Sequence, residues 1–196
     1  MHKRIDDIRA ALLRSGSSSS DFDLNPDVVL PAGRKLRPAG VLAPIHQVDG
    51  RLELLLTKRS SALKHHPGQI AFPGGKQELT DNSLIETALR ETHEEVGILP
   101  NEVEIIGNLP LYRTVSRYEV VPYIGFVADT TTLILDKNEV DSTFQVPLSF
   151  LLNKQNHLIH WVKRQNGQFP IYFIPWKRHN IWGATAAFVR NLSNHF

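Results

Sequence analysis

Cysteine is absent from this sequence of 196 residues, and long hydrophobic runs are absent as well. Without cysteine the chain forms neither disulfides nor thiolate metal sites, and the absence fits the cytoplasmic location that we expect. No apolar stretch approaches the roughly 20 residues that a membrane helix requires, so no membrane contact is expected. The N-terminal residues mix acids with bases and contain no long apolar stretch, which disfavours a signal peptide.

Positive and negative charges are nearly equal in number. The 22 basic and 20 acidic residues leave a net charge of +2 when the nine histidines are neutral. This excess of positive charge is too small to indicate a nucleic-acid surface, so no nucleic-acid partner is expected. A hydrophobic content of 41% is enough for an ordinary core, and the length suits one domain with a small appendage.

The first 33 residues differ in composition from the rest. The serine-rich residues 15–20 are typical of a flexible linker, so we expect residues 1–33 to be a loosely packed appendage and residues 34–196 to form the domain. In the alternative, residues 1–33 pack on a second copy and make a homodimer. Apolar residues at helical spacing predict a short amphipathic helix at residues 3–14, namely Ile5, Ile8, Leu12 and Leu13.

Short apolar strands alternate with turns along most of the chain. This pattern favours an α+β fold, in which helices cover a mixed sheet. Pro122 indicates an edge or a bulge in its strand. Strands are predicted at 41–45, 52–58, 69–72, 103–109 and 118–126, hairpin turns at Val48-Asp49-Gly50 and around residues 165–168, and further helices at 147–152 and 182–192.

One helix has clear boundary signals. Ser83 and Glu86 form a capping box, so the helix is predicted to begin near Ser83, and Gly97 is suited to end it in a left-handed conformation. The residues predicted to form its apolar stripe are Ile85, Ala88, Leu89, Thr92 and Val96.

Three glutamates lie within about one turn of this helix. The spacing of Glu91, Glu94 and Glu95 places them on one face, where they repel one another and oppose the helix dipole. A solvated acidic face and a metal site are both consistent with this spacing, and clustered carboxylates suit Mg²⁺ or Mn²⁺. The preceding Gly74 and Gly75 favour the metal site, because glycine allows the backbone to approach a ligand closely.

Residues 75–98 resemble the Nudix box, G-x5-E-x7-R-E-U-x-E-E-x-G-U, in which U is apolar. Asp81 stands at the first acidic position, but eight residues rather than seven separate it from Arg90, so the sequence leaves their pairing open. The resemblance implies a Nudix fold, with a mixed sheet sandwiched between helices, and Mg²⁺ or Mn²⁺ as cofactor. It also implies that the metal ligands are Glu91, Glu94 and Glu95. The matching residues are Gly75, Arg90, Glu91, Glu94, Glu95, Gly97 and Ile98.

A second motif precedes the box. Residues 55–75 resemble L-L-T-x-R-S-x3-R-x3-G-x3-F-P-G-G, which marks the coenzyme A pyrophosphatase branch of Nudix proteins, with Lys64 in place of one arginine. This resemblance implies hydrolysis of coenzyme A or its derivatives to 3′,5′-ADP and 4′-phosphopantetheine. The residues that we expect to bind substrate are Arg59, Lys64, Gly74 and Gly75. In the alternative, Arg59 pairs with an acid of the protein.

The residues present suit direct in-line attack by a water molecule that the bound cations activate. Glu94 or Glu139 is expected to act as general base, with Glu91 and Arg90 completing the catalytic set. One alternative is a Nudix hydrolase of ADP-ribose, dinucleotide polyphosphates or oxidised nucleotides. Another is a catalytically silent regulator that binds nucleotide, which the presence of Arg90 and all three glutamates disfavours.

Overall fold

Strands account for most of the secondary structure in the computed structural model, which describes residues 5–13, 19–28, 35–128, 131–164 and 167–196. Short 3₁₀ helices lie at Pro100–Glu102 and Lys154–Asn156. The other elements in these ranges are α1 (Ile5–Leu12), β1 (Ser19–Ser20), β2 (Arg37–Val48), β3 (Arg51–Arg59), β4 (Ile70–Ala71), β5 (Gly74–Lys76), α2 (Leu84–Val96), β6 (Val103–Asn108), β7 (Tyr112–Arg113), β8 (Tyr118–Val127), β9 (Val140–Pro147), α3 (Leu148–Leu152), β10 (Leu158–Arg164), β11 (Gly167–Trp176), β12 (His179–Trp182) and α4 (Ala184–Asn194).

A tight hairpin joins β2 to β3. Val48 pairs with Arg51, so Asp49 and Gly50 alone make the turn, and both have positive φ, at 48° and 72°. Two residues at positive φ are the requirement of a type I′ turn, whose twist matches the flanking strands. The predicted hairpin is therefore confirmed, although β2 extends well beyond residues 41–45.

The main sheet is mixed. Its strands run in the order β1-β7-β8-β2-β3-β4, while β5 pairs with β2, β6 with β8 and β9 with β3. The pairs β2–β8 and β1–β7 are parallel, and the other pairs are antiparallel. The prediction that Pro122 marks an edge or a bulge in β8 is wrong, because β8 is an interior strand. Pro122 is tolerated there because it falls between the residues that pair with β7 and those that pair with β6.

A smaller sheet contains β10, β11 and β12 in that order. The predicted hairpin near residues 165–168 is confirmed, since β10 pairs antiparallel with β11 from Leu158↔Phe173 to Arg164↔Gly167. Residues 165 and 166 lie outside the described ranges. The strands with no counterpart in the sequence prediction are β1, β5, β7, β9 and β12.

Helices cover both faces of the main sheet. Alternate residues of a strand point to opposite faces, and on β3 Leu54 and Leu56 join one apolar cluster while Leu55 joins another. The first cluster includes residues of α1, α3 and α4, and the second includes Val96 of α2. The mixed sheet sandwiched between helices, an α+β arrangement, is therefore confirmed. Among the described residues, no helix is both long and apolar enough to cross a membrane.

The described part of the N-terminal segment is packed against its own chain. Ile8 of α1 is fully buried in the large cluster, and Ser19 and Ser20 pair with Tyr112 and Arg113. The Tyr112 hydroxyl donates to Asp21 at 2.8 Å. The expectation of a loose appendage with a linker through Ser20 is therefore wrong for these residues, because the apolar residues at helical spacing in α1 pack against the large apolar cluster. The predicted boundary at residues 33 and 34 lies outside the described ranges.

Candidate active site

Local hydrogen bonds set both ends of α2. The hydroxyl of Ser83 accepts a hydrogen bond from the Glu86 N–H at 3.2 Å, and the Glu86 carboxylate accepts one from the Asn82 N–H at 2.8 Å. Gly97 ends the helix at φ 79°, and its N–H donates to the His93 carbonyl at 2.9 Å. Both predicted boundaries are confirmed, because they depend on side chains within a few residues of each other.

The buried face of α2 is rotated from the predicted stripe. Ile85 is 38% exposed and Leu89 is only half-buried, whereas Thr87 and Glu95 are buried. Glu95 is therefore on the core side of the helix, which apolar periodicity does not reveal. Ala88, Thr92 and Val96 are buried as predicted.

The three glutamates of α2 differ sharply in exposure. Their side chains are 15% exposed for Glu91, 56% for Glu94 and 3% for Glu95. They do not form a single solvated face. Instead, they span the boundary between the sheet and the solvent at the C-terminal end of the helix.

Arg90 contacts three carboxylates. Its Nε and Nη2 donate to the two oxygens of Asp81, each at 2.9 Å. Its Nη1 donates to Glu94 Oε2 at 2.9 Å, and its Nη2 lies 3.1 Å from Glu91 Oε1. The Asp81–Arg90 pair therefore forms despite the extra residue between them, and Arg90 orients two of the three glutamates.

The loop before α2 absorbs the extra residue. Asp81 Oδ2 also accepts hydrogen bonds from the Glu78 N–H at 2.9 Å and from the Thr87 hydroxyl at 3.0 Å. The pairing with Arg90, aided by these two bonds, holds the pKa of Asp81 far below its usual range. Asp81 thus fixes its own loop, the first turn of α2 and the guanidinium of Arg90.

Glu95 is buried against Arg59. Arg59 Nη1 lies 3.5 Å from Glu95 Oε1. Burial raises the pKa of Glu95 to about 8, although Arg59 and a hydrogen bond from the Gly74 backbone lower it. At 3.5 Å the ion pair does not offset the loss of hydration. An additional positive charge near Glu95 would therefore favour its ionised form.

Gly75 gives Glu91 its position. A Cβ atom on Gly75 would lie 2.5 Å from the carboxyl carbon of Glu91, so only glycine leaves room for this carboxylate. Burial raises the pKa of Glu91, and the nearby Glu94 and Glu139 raise it further, while Arg90 lowers it. Repulsion from Glu139 also raises the pKa of Glu95. Glu139 therefore faces the same group of carboxylates from the turn that precedes β9.

The turn that carries Glu139 is held by backbone hydrogen bonds. The Glu139 N–H donates to the Asp136 carbonyl at 3.0 Å, and the Glu139 carbonyl accepts from the Ser60 N–H at 2.7 Å. The Asp136 N–H in turn donates to the Glu95 carbonyl at 3.1 Å. These bonds connect the turn both to α2 and to the end of β3.

The carboxylates suit a divalent cation by their chemistry. Glu91, Glu94, Glu95 and Glu139 supply hard oxygen donors, and their mutual repulsion is what a bound Mg²⁺ or Mn²⁺ would relieve. In the part of the chain that the structure describes, no three Asp, Glu, His or Cys side chains are grouped closely enough to hold one ion. Arg90 and Arg59 hold three of these carboxylates instead. Binding of a cation therefore requires these side chains to exchange arginine for metal.

The residues expected to bind substrate fall into two groups. Arg59 pairs with an acid of the protein, as the alternative interpretation of the sequence anticipated, and its side chain is 25% exposed. Lys64 is exposed in the loop between β3 and β4, beside His65 and His66. The structure brings Arg59, but not Lys64, into contact with the carboxylates.

Gly74 and Gly75 lie in β5 and pair with Val41 and Gly40 of β2. Gly74 has φ 145°, and a Cβ atom there would lie 2.5 Å from the Gly40 carbonyl oxygen. Sequence reasoning missed Gly40 itself, where a Cβ atom would lie 2.2 Å from the Leu84 carbonyl oxygen. A glycine within an apolar strand is the signal that could have found it. The three glycines allow β2, β5 and α2 to approach closely enough to assemble the site.

Comparison with known proteins places this geometry in a family. Residues 36–169 match the family described as NUDIX domain. A protein of Enterobacter sp. (strain 638) named uncharacterized Nudix hydrolase NudL is 39% identical over 157 residues, covering 80% of this chain and 81% of its own. Its namesake in Photorhabdus laumondii is 39% identical over 181 residues, covering 90% and 96%.

Solved structures show the same fold. A NUDIX hydrolase from Alicyclobacillus acidocaldarius matches with a TM-score of 0.50 and 18% identity, over 83% of this chain and 93% of its own. A binary complex of the C. elegans Ap4A hydrolase also gives a TM-score of 0.50, with 19% identity over 57% of this chain and 80% of its own. At these identities the likeness concerns the fold alone.

Proposed function

The chain belongs to the Nudix family of hydrolases, which act on diphosphate bonds, and from this membership we propose that it hydrolyses the diphosphate of coenzyme A or its derivatives. The products are 3′,5′-ADP and 4′-phosphopantetheine. The observation that carries the proposal is the location of the second motif, residues 55–75. It runs from β3 to β5 and ends against the carboxylates, so that Arg59 contacts Glu95 and Gly75 adjoins Glu91.

The acidic residues are assigned to the cofactor, which they can bind once their arginine contacts break. Family members generally use divalent cations, and we assign Mg²⁺ or Mn²⁺ to Glu91, Glu94 and Glu95. When bound, a divalent cation neutralises charge on the diphosphate and lowers the pKa of a water ligand. Arg90, anchored by Asp81, keeps the carboxylates of Glu91 and Glu94 near their working positions.

The reaction needs one base and no covalent intermediate. The oxygen of water forms a bond to one phosphorus, the bond from that phosphorus to the bridging oxygen breaks, and a carboxylate takes the proton. Glu94 and Glu139 are the two candidates for this base. Glu94 is the more accessible of the α2 acids, while Glu139 faces Glu91 and Glu95 from across the site.

Two basic side chains are assigned to the phosphates. Arg59 can donate two parallel hydrogen bonds to a phosphate, and it becomes free to do so when a cation replaces it beside Glu95. Lys64, exposed in the adjoining loop, supplies a mobile positive charge. Both lie in residues 55–75, the motif whose resemblance to the coenzyme A pyrophosphatase branch implies this substrate.

Hydrolysis of coenzyme A by the purified protein, with Mg²⁺ or Mn²⁺ added, tests the proposal. Product masses identify the bond that is cleaved, and reaction in ¹⁸O-water identifies the phosphorus that is attacked. The Glu94→Gln variant should lose most activity, whereas Glu53→Gln, on β3 and away from Arg59, should keep it. Faster cleavage of ADP-ribose than of coenzyme A would contradict the assigned substrate, and unchanged turnover of Glu94→Gln would contradict the assigned site.

A further inference from the structure

Three positively charged residues lie near the end of β3 without acidic partners. Lys58 lies on β3, and Lys177 and Arg178 form the turn between β11 and β12, which Trp176 and His179 close. Among the residues that the structure describes, none of these three side chains has a carboxylate within salt-bridge distance. We call Lys58, Lys177 and Arg178 the cationic patch.

His179 lies beside all three residues of the cationic patch. Its ring stacks on Phe144, with ring centroids 3.8 Å apart and planes 3° apart. Phe144 pairs with Leu56 and Ser142 pairs with Lys58, so Phe144 and Lys58 point to the same face of the sheet. Burial lowers the pKa of His179, and Arg178, Lys58 and Lys177 lower it further. All three cations therefore act on the same imidazole ring.

The cationic patch lies at the same end of the sheet as the carboxylates. Lys58 adjoins Arg59, whose guanidinium pairs with Glu95. Arg59 pairs with Val140, which directly follows Glu139. The β3–β9 register shifts between Lys58 and Arg59, and the two side chains lie on different faces: Arg59 contacts Glu95 of α2, whereas Lys58 shares the face of Phe144 and His179. One substrate that contacts both groups must therefore extend around the end of β3.

Neighbouring cations that lack salt bridges are suited to an anion of more than one charge, although Lys177 Nζ also lies over the Trp176 ring, 5.2 Å from its centroid. A phosphate monoester carries nearly two negative charges at neutral pH and offers three acceptor oxygens. Arginine and lysine bind such a group through charge-assisted hydrogen bonds. Coenzyme A has one phosphate monoester, on its 3′-hydroxyl, in addition to the diphosphate that is cleaved.

We infer that Lys58, Lys177 and Arg178 bind the 3′-phosphate of the substrate and thereby distinguish coenzyme A from diphosphates that lack it. This inference rests on the proposed function, since it assigns a second contact within the same substrate. The diphosphate lies at the carboxylates of α2, and the 3′-phosphate lies at the cationic patch around the end of β3.

The test compares coenzyme A with dephospho-coenzyme A, which lacks the 3′-phosphate. The Lys177→Ala/Arg178→Ala variant should lose on the order of a hundredfold or more in kcat/KM for coenzyme A, since it removes two charge-assisted contacts to the 3′-phosphate. Its kcat/KM for dephospho-coenzyme A should stay unchanged. Lys58→Ala should show the same pattern more weakly. Arg51→Ala, an exposed cation at the opposite end of β3, is the matched control and should leave both substrates unaffected.

Equal losses on the two substrates, or no loss on either, would overturn the inference. If the wild-type protein hydrolyses neither substrate, the proposed function fails, and calorimetric binding of 3′,5′-ADP and AMP then tests the cationic patch separately. In that case the inference predicts preferential binding of 3′,5′-ADP that the double variant loses. Equal affinity of the wild-type protein for the two nucleotides would refute it. Thermal unfolding of each variant identifies any loss that comes from misfolding.

Discussion

Replacing Asp81 with asparagine should destabilise the protein by about 2–3 kcal/mol at neutral pH. The Asp81 side chain is only 4% exposed, and its two oxygens accept four hydrogen bonds, two of them from Arg90. Asparagine replaces one oxygen with an amide that can only donate, so it must turn this amide toward Arg90 or toward the Glu78 N–H and Thr87 hydroxyl. Either orientation leaves donors facing donors.

The size of this destabilisation depends on the contacts that Arg90 keeps in the variant. Breaking a buried ion pair by removing one partner typically costs about 3–5 kcal/mol, because the other charge is left buried. Arg90 is 25% exposed and keeps its contacts with Glu91 and Glu94. Water and these carboxylates therefore compensate part of the loss, which places the expected value below that range.

Urea unfolding followed by tryptophan fluorescence measures this difference. The midpoint should fall in Asp81→Asn while the slope stays the same, since the surface exposed on unfolding is unchanged. Asp49→Asn is the matched control, because Asp49 is exposed in the β2–β3 turn, where asparagine tolerates positive φ equally well. Its midpoint should match that of the wild-type protein.

The pH dependence gives a second, independent measurement. The pKa of Asp81 in the folded state lies far below its unfolded value of about 3.9, so its contribution to stability is complete above that pH. The contribution is lost as pH falls further toward the folded pKa, because the unfolded chain then binds the proton first. The difference between wild type and Asp81→Asn should be constant from pH 5 to pH 8 and should narrow below about pH 4. A loss under 0.5 kcal/mol, or one that does not narrow in acid, would refute the assigned role of Asp81.

Two further predictions concern separate parts of the molecule. Gly75→Ala should reduce activity about 100-fold by displacing the carboxylate of Glu91, with little change in the urea midpoint of unfolding. In Gly74→Ala the new Cβ atom would clash with the backbone of β2, so this variant should unfold. Equal urea midpoints for the two variants would contradict this contrast. Protonation of His157 should destabilise the fold as pH falls below about 6.5, because burial lowers the pKa of His157 in the folded state. Its Nδ1 is buried without a hydrogen-bond partner among the described residues, and its Nε2 lies 2.6 Å from the Leu151 carbonyl oxygen. Urea midpoints between pH 7.5 and pH 5 should show this slope flattened in His157→Gln, and an unchanged slope would exclude His157 as its source.

The features that sequence predicts well here are the local ones. Ser83 and Gly97 set the ends of α2 through partners three or four residues away, and the Asp49-Gly50 turn depends only on backbone conformation. Such signals do not require knowledge of the tertiary structure. The family resemblance also rests on short-range spacing, and it tolerates one extra residue because Asp81 lies in a loop that can lengthen.

The features that sequence misses depend on distant contacts. Burial of Glu95 depends on Arg59 and Gly74, which are far from it in the chain. A glutamate has no apolar signature, so periodicity assigns it to the exposed face and shifts the predicted stripe toward Ile85. The packing of Ile8 is missed for a similar reason, since a serine-rich segment separates it from the core that it joins.

The parallel pairing of β2 with β8 also determines when the protein can fold. The β2–β3 hairpin, with its local turn, can form as soon as the chain reaches Arg59. The edge of β2 that faces away from β3 stays unpaired until β8 is synthesised, because Arg37 pairs with Tyr118 and Ile45 pairs with Phe126. Contacts between such distant segments slow folding, and an unpaired apolar strand edge is a site for aggregation. During synthesis the nascent chain therefore exposes the open edge of β2, and chaperones that cover extended apolar segments should raise the yield of folded enzyme.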